Sequence, residues 1–193
     1  RRETDRAIFY FDKLRNKSQP ESIQNLISTS LNSWVNFKNT NDLNSALNLL
    51  EHIPKKFENL KNVQTTFAYC YFDSKQTDEE FKKLTYRSDV NYSRYFFFHA
   101  NYLISKNKDK KVKKILSTAL ELYPANLILN QLKIDHEMGK KFNNQFDCKD
   151  VRHVVAEILY TVANGLASQQ NHETSNFYLN LAKYLNPNFI SFD

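Results

Sequence analysis

Glycine occurs only twice in the 193 residues, at Gly139 and Gly165, and proline only four times. Tight hairpin turns, sheet bulges and phosphate-cradling loops all draw on glycine, which enters left-handed backbone conformations without a steric penalty. A chain so poor in it argues for helices. The two cysteines, Cys70 and Cys148, are too few for a disulfide framework and stand in no paired metal-ligand spacing. Cys70, inside "TTFAYCYF", reads as a small core residue, and Cys148, beside Lys149, as an accessible thiol. No run of about eighteen apolar residues occurs, so no membrane-spanning helix is written in the sequence. The opening "RRETDRAIFYF" lacks methionine and lacks the basic, apolar, small-residue order of a signal peptide, which suggests a segment of a longer protein. The sequence leaves the compartment open.

What is present fits a folded chain, with 41% hydrophobic and 25% charged residues. The formal net charge of +6 favours acidic partners in principle. Abundant Lys, Asn, Phe, Tyr and Ile is also what an AT-rich genome produces, so the charge is weak evidence of function. Apolar residues recur at helical spacing almost throughout. In 109–123, Val112, Ile115, Leu116, Ala119 and Leu122 share one arc, while Lys110, Lys113, Lys114, Ser117 and Glu121 lie off it. The same periodicity predicts helices over 4–16, 22–37, 42–52, 58–72, 78–86, 92–106, 127–138, 150–169 and 172–185. Between them stand short polar linkers, with Asp42, Asp78 and Asp109 placed to cap the helices that follow. The exception is "GKKFNNQFDCKD" over 139–150, which has no periodicity.

The segments "ALELYPAN" and "LAKYLNPNF" share a helix ending in which alanine is followed three residues later by leucine and five later by proline. The echo extends backwards. Ala100 and Ala119 are 19 residues apart, as are Ala163 and Ala182. Phe96 and Leu159 precede the first alanine of each pair, Leu103 and Leu166 follow it, and Leu116 and Leu179 precede the second. Pro20 and Pro54 stand 34 residues apart.

These residues resemble the tetratricopeptide repeat, a helix-turn-helix of about 34 residues with small residues where its helices approach and a proline at its end. The best copies are 93–126 and 156–189, the latter within a unit spanning 151–189. Units at 22–57 and 58–92 are degenerate, with Trp34 and Arg87 where small residues belong. A partial unit covers 1–20, and 127–150 is a helix plus an irregular connection. The last unit, "VVAEILYTVANGLA" then "FYLNLAKYLNPNF", is also similar to units from the middle of long bacterial proteins of this class. The resemblance implies an all-α, right-handed solenoid of antiparallel hairpins, 1–193 forming one array, and a protein or peptide partner held in its concave groove. By the repeat frame that groove carries Arg94, Phe97, Asn101 and Ile104 from one unit, Tyr160, Asn164 and Ser168 from another, and Thr65 and Tyr69 from a third. Asn101 and Asn164 matter most, since an amide can donate to and accept from a peptide backbone of any sequence. Val35 and Tyr69 replace asparagine in the degenerate units, so no continuous ladder exists. An array without caps also implies self-association through its ends.

Other chemistries find little support. No histidine among His52, His99, His136, His153 and His172 has metal-site spacing. Asp135, His136 and Glu137 come nearest, but adjacent helical residues point apart. No serine elbow, P-loop or dinucleotide fingerprint occurs, so a non-enzyme without cofactor or metal is expected. The run Lys106, Lys108, Lys110, Lys111, Lys113 and Lys114 raises a nucleic-acid or polyanion surface as the alternative. That face lacks interleaved aromatics for base stacking, and a solvated helix face explains it as well. A structural spacer of a larger enzyme is a third reading.

Overall fold

The computed structural model describes residues 2–87, 91–140 and 145–188, less the side chains of 2–4 and 38–40. Ten α-helices occupy the described residues: α1 (Arg2–Lys17), α2 (Ile23–Thr40), α3 (Leu43–Leu50), α4 (Glu58–Tyr71), α5 (Thr77–Thr85), α6 (Ser93–Ser105), α7 (Asp109–Leu122), α8 (Leu127–Glu137), α9 (Val151–Ser168) and α10 (His172–Leu185). No strand occurs among the described residues. The fold is all-helical.

Side chains set the helix starts. Ser22, Asp42, Asn126, Asp150 and Asn171 each accept a hydrogen bond from a backbone N–H in the first turn of the following helix. Asp42 therefore caps as expected. Asp78 and Asp109 do not, because both lie inside their helices, and Asp78 turns its carboxylate to other partners.

The helix ends show how a glycine-poor chain manages its turns. Asn41, Asp73, Asn107 and Gln170 have φ between 47° and 61°, doing what glycine does elsewhere. After α6, Lys108 N–H reaches Leu103 C=O (3.0 Å) and Asn107 N–H reaches Ile104 C=O (2.9 Å). After α9, Asn171 N–H reaches Leu166 C=O (3.0 Å) and Gln170 N–H reaches Ala167 C=O (2.9 Å). Both are Schellman turns. A displacement of 63 residues carries Asn107 onto Gln170, the bounds of α7 onto those of α10, and the end of α6 onto the end of α9. The sequence echo is thus matched at the end of the first helix, in the turn geometry and over the whole second helix, while α9 starts five residues earlier than α6 does in this frame.

The chain divides into two compact units, one made of Arg1–Asp73 with Cys148–Asp193, the other of Ser74–Asp147. In the first, α1 packs on α2, α2 on α3, α3 on α4, and α9 on α10. Helix α9 also packs on α2 and α4, contacts that stacking on sequence neighbours alone would not bring about. Its core holds Trp34, Phe37, Leu50, Phe67, Val154 and Ile158. Trp34 Nε1–H donates to Gln64 Oε1 (3.2 Å), and Gln64 Nε2–H donates to Ser30 Oγ (3.1 Å), so the buried polar groups between α2 and α4 satisfy one another.

A disulfide joins Cys70 on α4 to Cys148, just before α9. The reading of Cys148 as an accessible thiol is corrected: both sulfurs are buried and bonded, with Cα atoms 6.0 Å apart, inside the ordinary span of such a bridge.

In the second unit α6 packs on α5, α7 and α8. Phe81, Phe96, Phe98, Leu103, Val112, Leu116, Ala119 and Leu129 form its core, and Phe146 stacks on Phe98 at 4.0 Å. Residues 141–144 of the aperiodic connection, and 189–193 at the end of the last repeat copy, lie outside the described residues.

Candidate functional site

The residues expected in a groove meet different fates. On α6, Asn101 is 1% exposed and Phe97 5% exposed, so neither is presented to a partner. Arg94 is half-buried with its guanidinium 5.3 Å from the centre of the Phe98 ring. Ile104 is half-buried beside Asp135 and His136 of α8. The expectation for Asn101 and Phe97 is corrected: α6 has neighbours on several sides, α8 among them. Neither amide atom of Asn101 finds a hydrogen-bond partner.

On α9 the equivalent row is open. Tyr160 is half-buried, and Asn164 and Ser168 are exposed at successive four-residue steps, so all three lie along one strip. Ser168 Oγ donates to Gly165 C=O (2.8 Å). On α4, Thr65 and Tyr69 are half-buried. Of the residues predicted for a groove, Asn164 and Ser168 are the exposed ones.

Four lysines of the run line two different depressions. Lys106 sits 5.8 Å from the centre of the Tyr102 ring, and Lys108 is exposed in the turn. Lys113 lines a depression of about 290 Å³ with Asp109, Asp135, His136 and Lys140. Lys110, Lys111 and Lys114 line another of about 460 Å³, opposite Asp78, Lys82 and Tyr86 of α5, with Ile115 on its wall.

At the wall of the larger depression is an ionic cluster, with Asp78 and His99 buried, that sequence reasoning missed. His99, fully buried, lies 2.8 Å through Nε2 from Asp78 Oδ1, and its ring stacks on Phe81 at 4.9 Å and 7°. Lys111 pairs with Asp78 Oδ2, and Lys82 approaches the same oxygen at 3.6 Å. The hydrogen bond from His99, reinforced by Lys111, holds the Asp78 carboxyl far below the usual carboxylate range. Burial pushes the His99 pKa down, so its imidazole is neutral near pH 7. An ionised Asp78 can only accept, which places the imidazole proton on Nε2 and leaves Nδ1 as a bare acceptor. No hydrogen-bond partner reaches that Nδ1, and no solvent does. The pair resembles half of a catalytic triad, but a fully enclosed ring cannot meet a substrate. It ties α5 to α6.

Among the described residues no group of three or more His, Cys, Asp or Glu side chains is placed to hold a metal. Asp135, nearest to such a role in the sequence, binds Lys140 and Gln131. No described helix is long and apolar enough to cross a membrane. Compared with protein-family models, curated proteins and solved structures, the chain matches none.

Proposed function

We propose that this chain is a non-catalytic protein-interaction scaffold built from tetratricopeptide-like helical hairpins, and that a partner segment docks along the exposed row of α9. The observation that carries the reading is the 63-residue displacement that carries the end of α6, the turn and the whole of α7 onto the end of α9, its turn and α10. The four echoing alanines, Ala100, Ala119, Ala163 and Ala182, are each at most 1% exposed, as close helix approach within a hairpin requires. Ser175 of α10 donates to Ala163 C=O at 2.8 Å, which an alanine-lined crossing permits. Repeated hairpins whose small residues face inward leave the remaining helix faces free for recognition.

The docking row is Tyr160, Asn164 and Ser168. Tyr160 supplies aromatic area and Asn164 a two-sided hydrogen-bonding group. Selection of peptides from a displayed library on the intact chain tests this. Selected peptides should bind the Tyr160→Ala/Asn164→Ala variant at least about fivefold more weakly, the loss typical of modest anchor residues. Equal binding to both proteins, or no selectable peptide, would overturn the reading.

A further inference from the structure

We infer that the depression between α5 and α7 is a binding site for a compact phosphate-type dianion carried on an aromatic or apolar group. Asp78 and Lys82 share one face of α5, and Tyr86, the residue that caps its end, follows at the next four-residue step. Lys110, Lys111 and Lys114, with Ile115, face them from α7 across about 460 Å³, a volume in the range of small-molecule sites. Two of the ammonium groups are already committed: Lys111 pairs with Asp78, and Lys82 with Glu79 (2.7 Å) and Asp78 (3.6 Å). Those pairs pin the two side chains in place. Lys110 and Lys114 are exposed, and no ion pair or hydrogen bond among the described residues holds either of them.

Lysines at 110 and 114 stand one turn apart on the same helix, an arrangement in which like charges repel. A bound dianion between them would remove that repulsion and be reached by two otherwise idle donors. The walls favour more than bare phosphate. Tyr86 is 48% exposed beside the site, its ring 5.9 Å from that of Phe96, and Ile115 lines the interior side. A flat apolar group attached to the phosphate would cover both. Lys106, Lys108 and Lys113 do not line this depression, and its volume of about 460 Å³ takes a small anion rather than a polyanion.

The test uses the intact chain and two probes, phenyl phosphate and inorganic phosphate, followed through backbone amide shifts in ¹⁵N NMR. Phenyl phosphate should saturate shifts at Tyr86, Lys110 and Lys114, and bind at least threefold more tightly than inorganic phosphate. The Lys110→Gln/Lys114→Gln variant should weaken it by about tenfold, two exposed charge contacts together. Lys106→Gln/Lys108→Gln, which removes the same net charge, should change it less than twofold. Equal loss in the two variants, or shifts that never saturate, would overturn the proposal. A phosphotyrosyl tripeptide run in parallel identifies the source: binding as tight as phenyl phosphate marks a peptide-borne ester, weaker binding a free small molecule. Because the probes are small molecules at α5 and α7, failure here leaves the docking row on α9 untouched, and the reverse holds as well.

Discussion

Reducing the Cys70–Cys148 disulfide should lower the melting temperature of the Arg1–Asp73/Cys148–Asp193 unit by about 10 °C. The bridge spans a sequence separation of 78 residues. Loop-closure entropy for an unfolded chain of that length gives about 4.5 kcal/mol as the upper figure. The second unit, 74–147, lies wholly inside the loop. If it stays folded while the first unit melts, it behaves as a compact body, and the effective loop shrinks toward one worth about 3 kcal/mol. At about 3 °C per kcal/mol for a domain of this size, the two figures bracket a fall of roughly 9–14 °C. Differential scanning calorimetry with and without a phosphine reductant reads the shift without introducing a cavity. Thiol titration of the unreduced native protein supplies the control, and should find no free thiol. A melting temperature unchanged within about 2 °C, or two titratable thiols in the untreated protein, would refute the reasoning.

Acidification should destabilise the Ser74–Asp147 unit from about pH 6.5 downward. His99 has a lowered folded pKa, so the unfolded state takes up its proton first, and stability falls as pH drops below the ordinary histidine value of about 6.5. Asp78 is also lowered: its contribution is present above the ordinary carboxylate value of about 3.9 and is lost as pH falls beneath it. His99→Gln should flatten the limb between pH 5 and 7 in a series of thermal melts, and an unchanged limb would remove His99 as its cause. Asn101→Leu should leave stability unchanged or raise it by about 1 kcal/mol in urea titration, because an apolar isostere removes two unpaired buried polar atoms. A loss above about 1 kcal/mol would show that the amide is satisfied. Gln170→Gly should stabilise by about 0.5 kcal/mol, since glycine relieves the left-handed strain at φ 61° while giving back part of that as chain entropy. The exposed row Phe177, Leu181 and Tyr184 on α10 makes that face a self-association surface in the scaffold reading. Phe177→Lys/Tyr184→Lys should abolish any concentration-dependent assembly in sedimentation, and assembly that survives the change must use another face.

The ten helices were legible because apolar residues recur at helical spacing, a signal contained within a dozen residues. The repeat frame set Phe97 in the groove, yet all four side chains of Tyr95–Phe98 are buried. Partners on different helices were not legible. Asp78 and His99 lie 21 residues apart and Cys70 and Cys148 lie 78 apart, with no local pattern to join them. Nor does periodicity say that α9 packs on α2 and α4. Left-handed residues at Asn107 and Gln170 hide in polar linkers whose composition admits several turns.

Asn101 and Asn164 show where reading by repeat frame stops. They occupy the same register position, 63 residues apart, yet one is buried and the other exposed. What differs is the neighbourhood. Helix α6 packs on α5, α7 and α8, while α9 packs on α10, α2 and α4. A side chain's environment in packed hairpins depends on which helices lie against its own, information that does not reside in the repeat itself. The same residue type at the same position is therefore an unsatisfied interior amide in one copy and an exposed amide in the other. That contrast makes the pair a paired test: Asn101→Leu reads out in stability and Asn164→Ala in peptide affinity. A result with the two readouts exchanged would mean that the repeat frame, and with it the docking row on α9, is misassigned.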